Sequence, residues 1–117
     1  MKTFAGRKLG RPSAHRELLL RNLATSLLQN EKIMTTVPRA KEVSRYAEQI
    51  ITIAKGSEMV TAQRGVAKHV MTQDVRKKMF QVLVPRYSDR RGGYTQVIRA
   101  GWRAGDSAPM ALVRLIP

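Results

Sequence analysis

Residues 33–56 read IMTTVPRAKEVSRYAEQIITIAKG, a short strand running directly into a long helix. Residues 33–37 are few, rich in β-branched side chains and stopped by Pro38, which suits a strand. Pro38 fits the first turn of a helix, where its missing amide donor costs little. Val43, Ala47, Ile50, Ile51 and Ala54 then recur at helical spacing and define a buried face, with Gly56 after Lys55 as the stop. Arg39, Lys41 and Arg45 lie on other faces of the first turns, partly offset by Glu42 and Glu48.

Upstream, Ser13 can cap a helix, and Glu17 sits near the positive end of its dipole. Leu20, Leu23, Ala24, Leu27 and Leu28 form its apolar stripe, and Asn30 helps to end it. His15, Arg16 and Arg21 project from other parts of this helix and can face phosphate while the leucines face inward.

Downstream, a third helix is expected from a Ser57 cap to about His69, with Val60, Ala67 and Val70 among its apolar positions and Gly65 as a weak point. A fourth begins at Thr72 or Gln73, repeats Val75, Met79, Val82 and Leu83, and ends at Pro85. Arg76, Lys77 and Lys78 read first as its solvated face. Residues 86–93 form a basic loop ending in glycines, and residues 94–103 and 110–116 read as two strands. Ala111, Val113 and Leu115 share one side of the last strand.

The expected architecture is an α/β (α+β) two-layer single domain in the order helix, strand, three helices, two strands. A small three-stranded sheet packs on the helices. Residues 13–117 form this domain, and residues 1–12 an extended basic arm. The arm holds Lys2, Arg7, Lys8 and Arg11 with no acid, is punctuated by Gly6, Gly10 and Pro12, and lacks apolar periodicity.

Charge narrows the function. Lys and Arg total 22 against 8 Asp and Glu, a net charge of +14, which repels itself in a free compact chain unless a polyanion neutralises it. Nucleic acid fits, because Lys and Arg on phosphates release condensed counterions. A membrane surface would want one concentrated basic stretch or an amphipathic helix, whereas here cations run from Lys2 to Arg114. Cysteine is absent, so disulfides and thiolate metal sites are excluded. Apolar runs fall short of a membrane span, and the expectation is a soluble, intracellular protein.

No nucleophile with a base, paired carboxylates or metal-ligand cluster is visible, and no phosphate-loop pattern accompanies Gly92 and Gly93. His15 is read as serving RNA or its helix end, His69 as a surface residue. No catalytic residue, metal, cofactor or small-molecule substrate is expected. A second basic concentration, Arg86, Arg90, Arg91, Arg99 and Arg103, is interleaved with Tyr87, Tyr94 and Trp102. Arginine forks two donors to phosphate and aromatics offer stacking faces. Arg90 and Arg91 are read as RNA contacts, Trp102 as filling between sheet and helices. A free-standing regulator of DNA or messenger RNA is the rival, but no helix presents an obvious set of base-reading residues.

Three segments, GRKLGRPSAHRELLLRNLATSLL, IMTTVPRAKEV followed by AEQIITIAK, and PRYSDRRGGYTQVIRAGWRAGDSAPMALVRL, resemble the ribosomal protein seventeen family of the bacterial large subunit, nearly end to end. The resemblance implies the same element order and a cytoplasmic, non-enzymatic constituent of the large subunit. Such a protein binds large-subunit ribosomal RNA near the outer end of the polypeptide exit tunnel, beside neighbouring subunit proteins. It implies RNA contact by Arg7, Lys8, Arg11, His15, Arg16 and Arg21, and by Arg90, Arg91 and Tyr94. Lys2, Arg39, Lys41, Arg99 and Arg103 complete the expected RNA-binding set. The chain departs from the family's usual residues at Lys2, Thr3, Ala14 and Gln96.

Overall fold

The computed structural model describes residues 13–56 and 58–117. The N-terminal arm and Ser57 lie outside the described residues. Helix α1 (Ser13–Asn30) leads to β1 (Lys32–Thr36), α2 (Val37–Ala54) and α3 (Met59–Ala67). A three-part helical region follows: α4 (Gln73–Lys78), a π-helical stretch (Met79–Leu83) and α5 (Val84–Arg86). The chain closes with the hairpin β2 (Thr95–Trp102) and β3 (Pro109–Leu115).

The sheet is antiparallel in the order β1-β3-β2, so the last strand lies between the first two. Its register sets Ile33 and Val97 on either side of Val113, and Thr35 and Arg99 on either side of Ala111. Ala111, Val113 and Leu115 all project to one side and are buried. They pack on a helical layer whose core positions, Leu20, Ala24, Leu27 and Leu28 of α1 and Val43, Ala47, Ile50, Ile51 and Ala54 of α2, are those expected from their spacing. This is the two-layer α+β fold read from the periodicities.

Several boundaries and faces differ from expectation. Val37 is the buried first residue of α2 rather than the end of β1, which places Pro38 at the second helical position. The cap position of α3 falls on Glu58, whose carboxylate accepts a hydrogen bond of 2.6 Å from Thr61 Oγ1. Val60 is exposed, and the inward positions of α3 are Ala62 and Val66, followed by Val70. Gly65 is not a weak point but a contact. A Cβ there would stand 2.5 Å from Ile53 Cγ2, so only glycine lets α3 approach α2 this closely.

The fourth helical segment does not end at Pro85 but passes through it to Arg86. Proline removes one amide donor and crowds the carbonyl four residues back, and the π-helical turn just before it accommodates the altered ladder. The wider turn shifts the phase. Val75, Met79, Leu83 and Tyr87 face the core, while Val82 is turned out.

Candidate nucleic-acid interface

The cations divide into those spent inside the fold and those left on its surface. Glu31, just beyond α1, adopts a left-handed φ of 66° and donates its N–H to the Leu27 carbonyl at 2.7 Å. Its carboxylate is held by Arg86 Nη1 at 2.7 Å and Lys78 Nζ at 3.0 Å. Hydrogen bonds from Arg86 and Lys78 hold the Glu31 carboxyl down at about 2, and the bond to Glu31 raises the Arg86 guanidinium further above its ordinary range. Lys78 also donates to the Gln29 carbonyl at 2.8 Å, and Arg76 Nη2 to the Met71 carbonyl at 3.1 Å. Two members of the 76–78 run are therefore turned to the protein, leaving Lys77 as its exposed member.

Arg16 lies largely inside the fold. It is only 3% exposed and lies 3.8 Å from Glu42, which is itself buried, so it joins α1 to α2. Arg21 is partly covered, lying 3.7 Å from Glu17 and against the Tyr46 hydroxyl. That hydroxyl is 2.8 Å from His69 Nδ1. Burial pushes the Tyr46 phenol up and the His69 imidazole down, so His69 is a half-buried partner of Tyr46 rather than a plain surface residue.

The loop between α5 and β2 is fixed from beneath by residues that spacing alone does not reveal. Tyr87 is buried and its hydroxyl donates to the Ile116 carbonyl, with its ring 5.1 Å from that of Tyr94. Tyr94, expected to touch RNA, is 3% exposed and has no ring face free for a base. Its hydroxyl accepts a hydrogen bond of 2.8 Å from Lys55 Nζ and donates one of 3.1 Å to the Arg90 carbonyl. Lys55 Nζ also donates to the Arg90 carbonyl and lies 4.9 Å from the Tyr94 ring centroid. Arg90 Nη1 reaches the Gly93 carbonyl at 3.2 Å, and Gly93 supplies the left-handed φ of 63° that turns the chain into β2.

On this base Arg90 and Arg91 stand exposed. Arg91, Gly92 and Tyr94 form one wall of a groove whose other wall is α2 at Arg45, Gln49 and Thr52. Arg45 is 62% exposed and borders the groove with Arg91. Sequence reading placed it on α2 without counting it as a binding residue, although Lys41, Arg45 and Gln49 share a helical spacing that marks one outer face. The acid in the groove, Glu48, is occupied by Thr95, accepting from its N–H at 3.3 Å and from Oγ1 at 2.8 Å. Ser44 completes this relay at 2.5 Å from Thr95 Oγ1.

The other expected positions are scattered. Lys41 and Arg99 are exposed, and Arg39 is half-buried. His15 is exposed near the start of α1. Arg103 is exposed but paired with Asp106 through Nε at 3.0 Å and Nη2 at 2.6 Å. Among the described residues, no carboxylate lies within ion-pair distance of Lys41, Arg90, Arg91 or Arg99. Lys2, Arg7, Lys8 and Arg11 lie outside the described residues. Among the described residues no three potential ligand side chains gather as a metal site, and no helix is long and apolar enough to cross a membrane.

Fold and charge together describe a small, strongly basic α+β protein. The model of the family Ribosomal protein L17 matches residues 19–116. A relative from Endomicrobium trichonymphae, named large ribosomal subunit protein bL17, is 47% identical over 116 residues, covering 99% of this chain and 98% of its own length. Proteins of the same name from Clostridioides difficile, 50% identical over 110 residues, and Desulfitobacterium hafniense, 49% over 113, cover 94% and 97% of this chain and 96% and 100% of their own. The chain belongs to the ribosomal protein L17 family, and with that membership it is a structural component and not an enzyme.

Proposed function

We propose that this chain is a cytoplasmic, structural constituent of the large ribosomal subunit that binds large-subunit ribosomal RNA on two surfaces. One is the basic arm, residues 1–12, with Lys2, Arg7, Lys8 and Arg11, continued by the exposed start of α1 at His15 and by Arg21. The other is the groove between α2 and the 87–94 loop, where Arg91 and Arg45 meet the phosphate backbone, together with Arg90 exposed on the same loop. Arg39, Lys41, Arg99 and Arg103 extend this cationic field. The protein supports subunit structure and assembly beside neighbouring subunit proteins, near the outer end of the polypeptide exit tunnel, a position that rests on the family resemblance.

The observation that carries this reading is the exposed pair Arg90 and Arg91, held on a loop fastened by Tyr87, Tyr94 and Lys55, with Arg91 lining a groove opposite Arg45. Arginine suits phosphate because its planar fork donates two hydrogen bonds at once. A preordered loop gives up little conformational entropy when it binds.

The test is a paired measurement on the variant Arg90→Ala/Arg91→Ala. Filter binding to large-subunit ribosomal RNA should weaken by roughly tenfold or more, since two charge-assisted contacts are lost. The melting temperature should stay within a few degrees of the unmodified chain. Unaltered affinity would remove the loop from the binding surface.

A further inference from the structure

The hairpin end carries an arrangement that the groove and the arm do not use. Trp102 is 73% exposed and is the one tryptophan of the chain. Contrary to the expectation that it fills space between sheet and helices, its ring stands in solvent. Cross-strand partners share a face of the sheet. Arg99 is opposite Ala111 and Trp102 opposite Pro109, and Ala111 and Pro109 are two residues apart on β3, so all four lie on one side. That is the side packed by helices at Ala111, but the helical layer ends before Arg99 and Trp102, which form an open ledge.

Trp102 reaches this side through an irregularity in the strand. Between the two pairs, Ala100 and Gly101 on β2 oppose Met110 alone on β3, an extra residue that reverses the alternation. Gly101, with φ of 89°, provides the left-handed turn this requires, although nothing crowds its Cα. The hairpin end beyond it is clamped. Asp106 holds the Arg103 guanidinium, accepts from the Ala108 N–H at 3.2 Å, and sits between Gly105 and Ser107, which have φ of 106° and 58°. The fold thus fixes a large aromatic ring in water, beside a cation that has no carboxylate within ion-pair distance.

We infer that Trp102 is a stacking platform for an unpaired base of the bound RNA, with Arg99 contacting the adjoining phosphate. This rests on the RNA-binding reading above and adds a site to it. Charge decides the occupant. The other exposed sheet apolars, Met34 and Ile98, flank Leu112 on the opposite side, so Trp102 is not the centre of an apolar patch of the kind that anchors a protein partner. Its charged neighbour on the ledge is Arg99, and an exposed aromatic beside a cation matches the chemistry of single-stranded nucleic acid.

Because the chain has a single tryptophan, its fluorescence reports this site alone. Titrating the full chain with protein-free large-subunit ribosomal RNA should quench the emission in parallel with binding and shield it from acrylamide. Trp102→Ala should weaken binding by roughly 5- to 140-fold, the range for losing one stacked base, with an unchanged melting temperature, and Trp102→Phe should restore most of it. Tight RNA binding with emission and acrylamide access unaltered would overturn the inference. So would an emission change that arises only when the other large-subunit proteins are added, which would make Trp102 a protein contact. If the unmodified chain fails to bind the RNA at all, the wider reading falls as well, an outcome distinct from binding with a silent Trp102.

Discussion

Tyr94 separates a residue that positions from one that touches. Its buried ring contributes apolar packing, while its hydroxyl links Lys55 to the Arg90 carbonyl. Tyr94→Phe keeps the ring and deletes the link, so stability should fall by about 1 kcal/mol in chemical denaturation, and RNA affinity should fall with it as the loop loosens. Glu31 can be examined through pH. Its carboxyl is depressed from 4.5 to about 2 by Arg86 and Lys78, so it stabilises the fold fully above pH 4.5 and loses that effect as pH falls toward 2. Glu31 is 36% exposed, so solvent screening reduces the benefit to about 1 kcal/mol. Glu31→Gln should be less stable than the unmodified chain at pH 7, with the two melting curves converging near pH 2; a constant gap across that range would show that the ion pairs do not set it. The sequence offered Tyr94 as an RNA contact and gave no sign of Glu31's role, because Lys55 lies 39 positions from Tyr94 and Arg86 lies 55 positions from Glu31.

At the scale of elements, what was legible followed from local period. Helix α2 buries each of the five residues picked out by spacing, because a long amphipathic helix advertises its inner face whatever it packs against. The hairpin and the inward row Ala111, Val113 and Leu115 were legible for the same reason. Where a register is locally altered, period misleads. The π-helical turn before Pro85 moved Val82 outward, and the extra residue at Ala100 and Gly101 moved Trp102 onto the open ledge. The candidate surface was less legible than the fold, since exposure of an arginine depends on tertiary neighbours: Arg16 lies against Glu42, while Arg91 lines a groove. Helix packing gives a direct check. Gly65→Ala gains up to about 1 kcal/mol of helix propensity but places a methyl against Ile53 Cγ2, the stiff branch of a β-branched side chain. Overpacking of this kind costs about 1–3 kcal/mol, so a net loss in stability is expected by thermal melting. A stabilised variant would mean that α3 is free to move away from α2.

For the whole molecule, the governing quantity is a net charge of +14 on 117 residues. The fold uses a minority of its cations to hold itself together, at Glu31, Glu42 and beneath the 87–94 loop. The others include Lys41 on α2, Arg90 and Arg91 on the loop and Arg99 on the hairpin, and on the proposed reading their mutual repulsion is relieved when phosphates surround them. The affinity of the full chain for large-subunit ribosomal RNA, followed from about 50 to 200 mM salt, examines this most directly. With roughly 6–10 phosphates neutralised, affinity should fall by about 1,000- to 100,000-fold over that range, taking the duplex slope as a guide. Binding that barely responds to salt, or an equal preference for any other protein-free RNA, would contradict it.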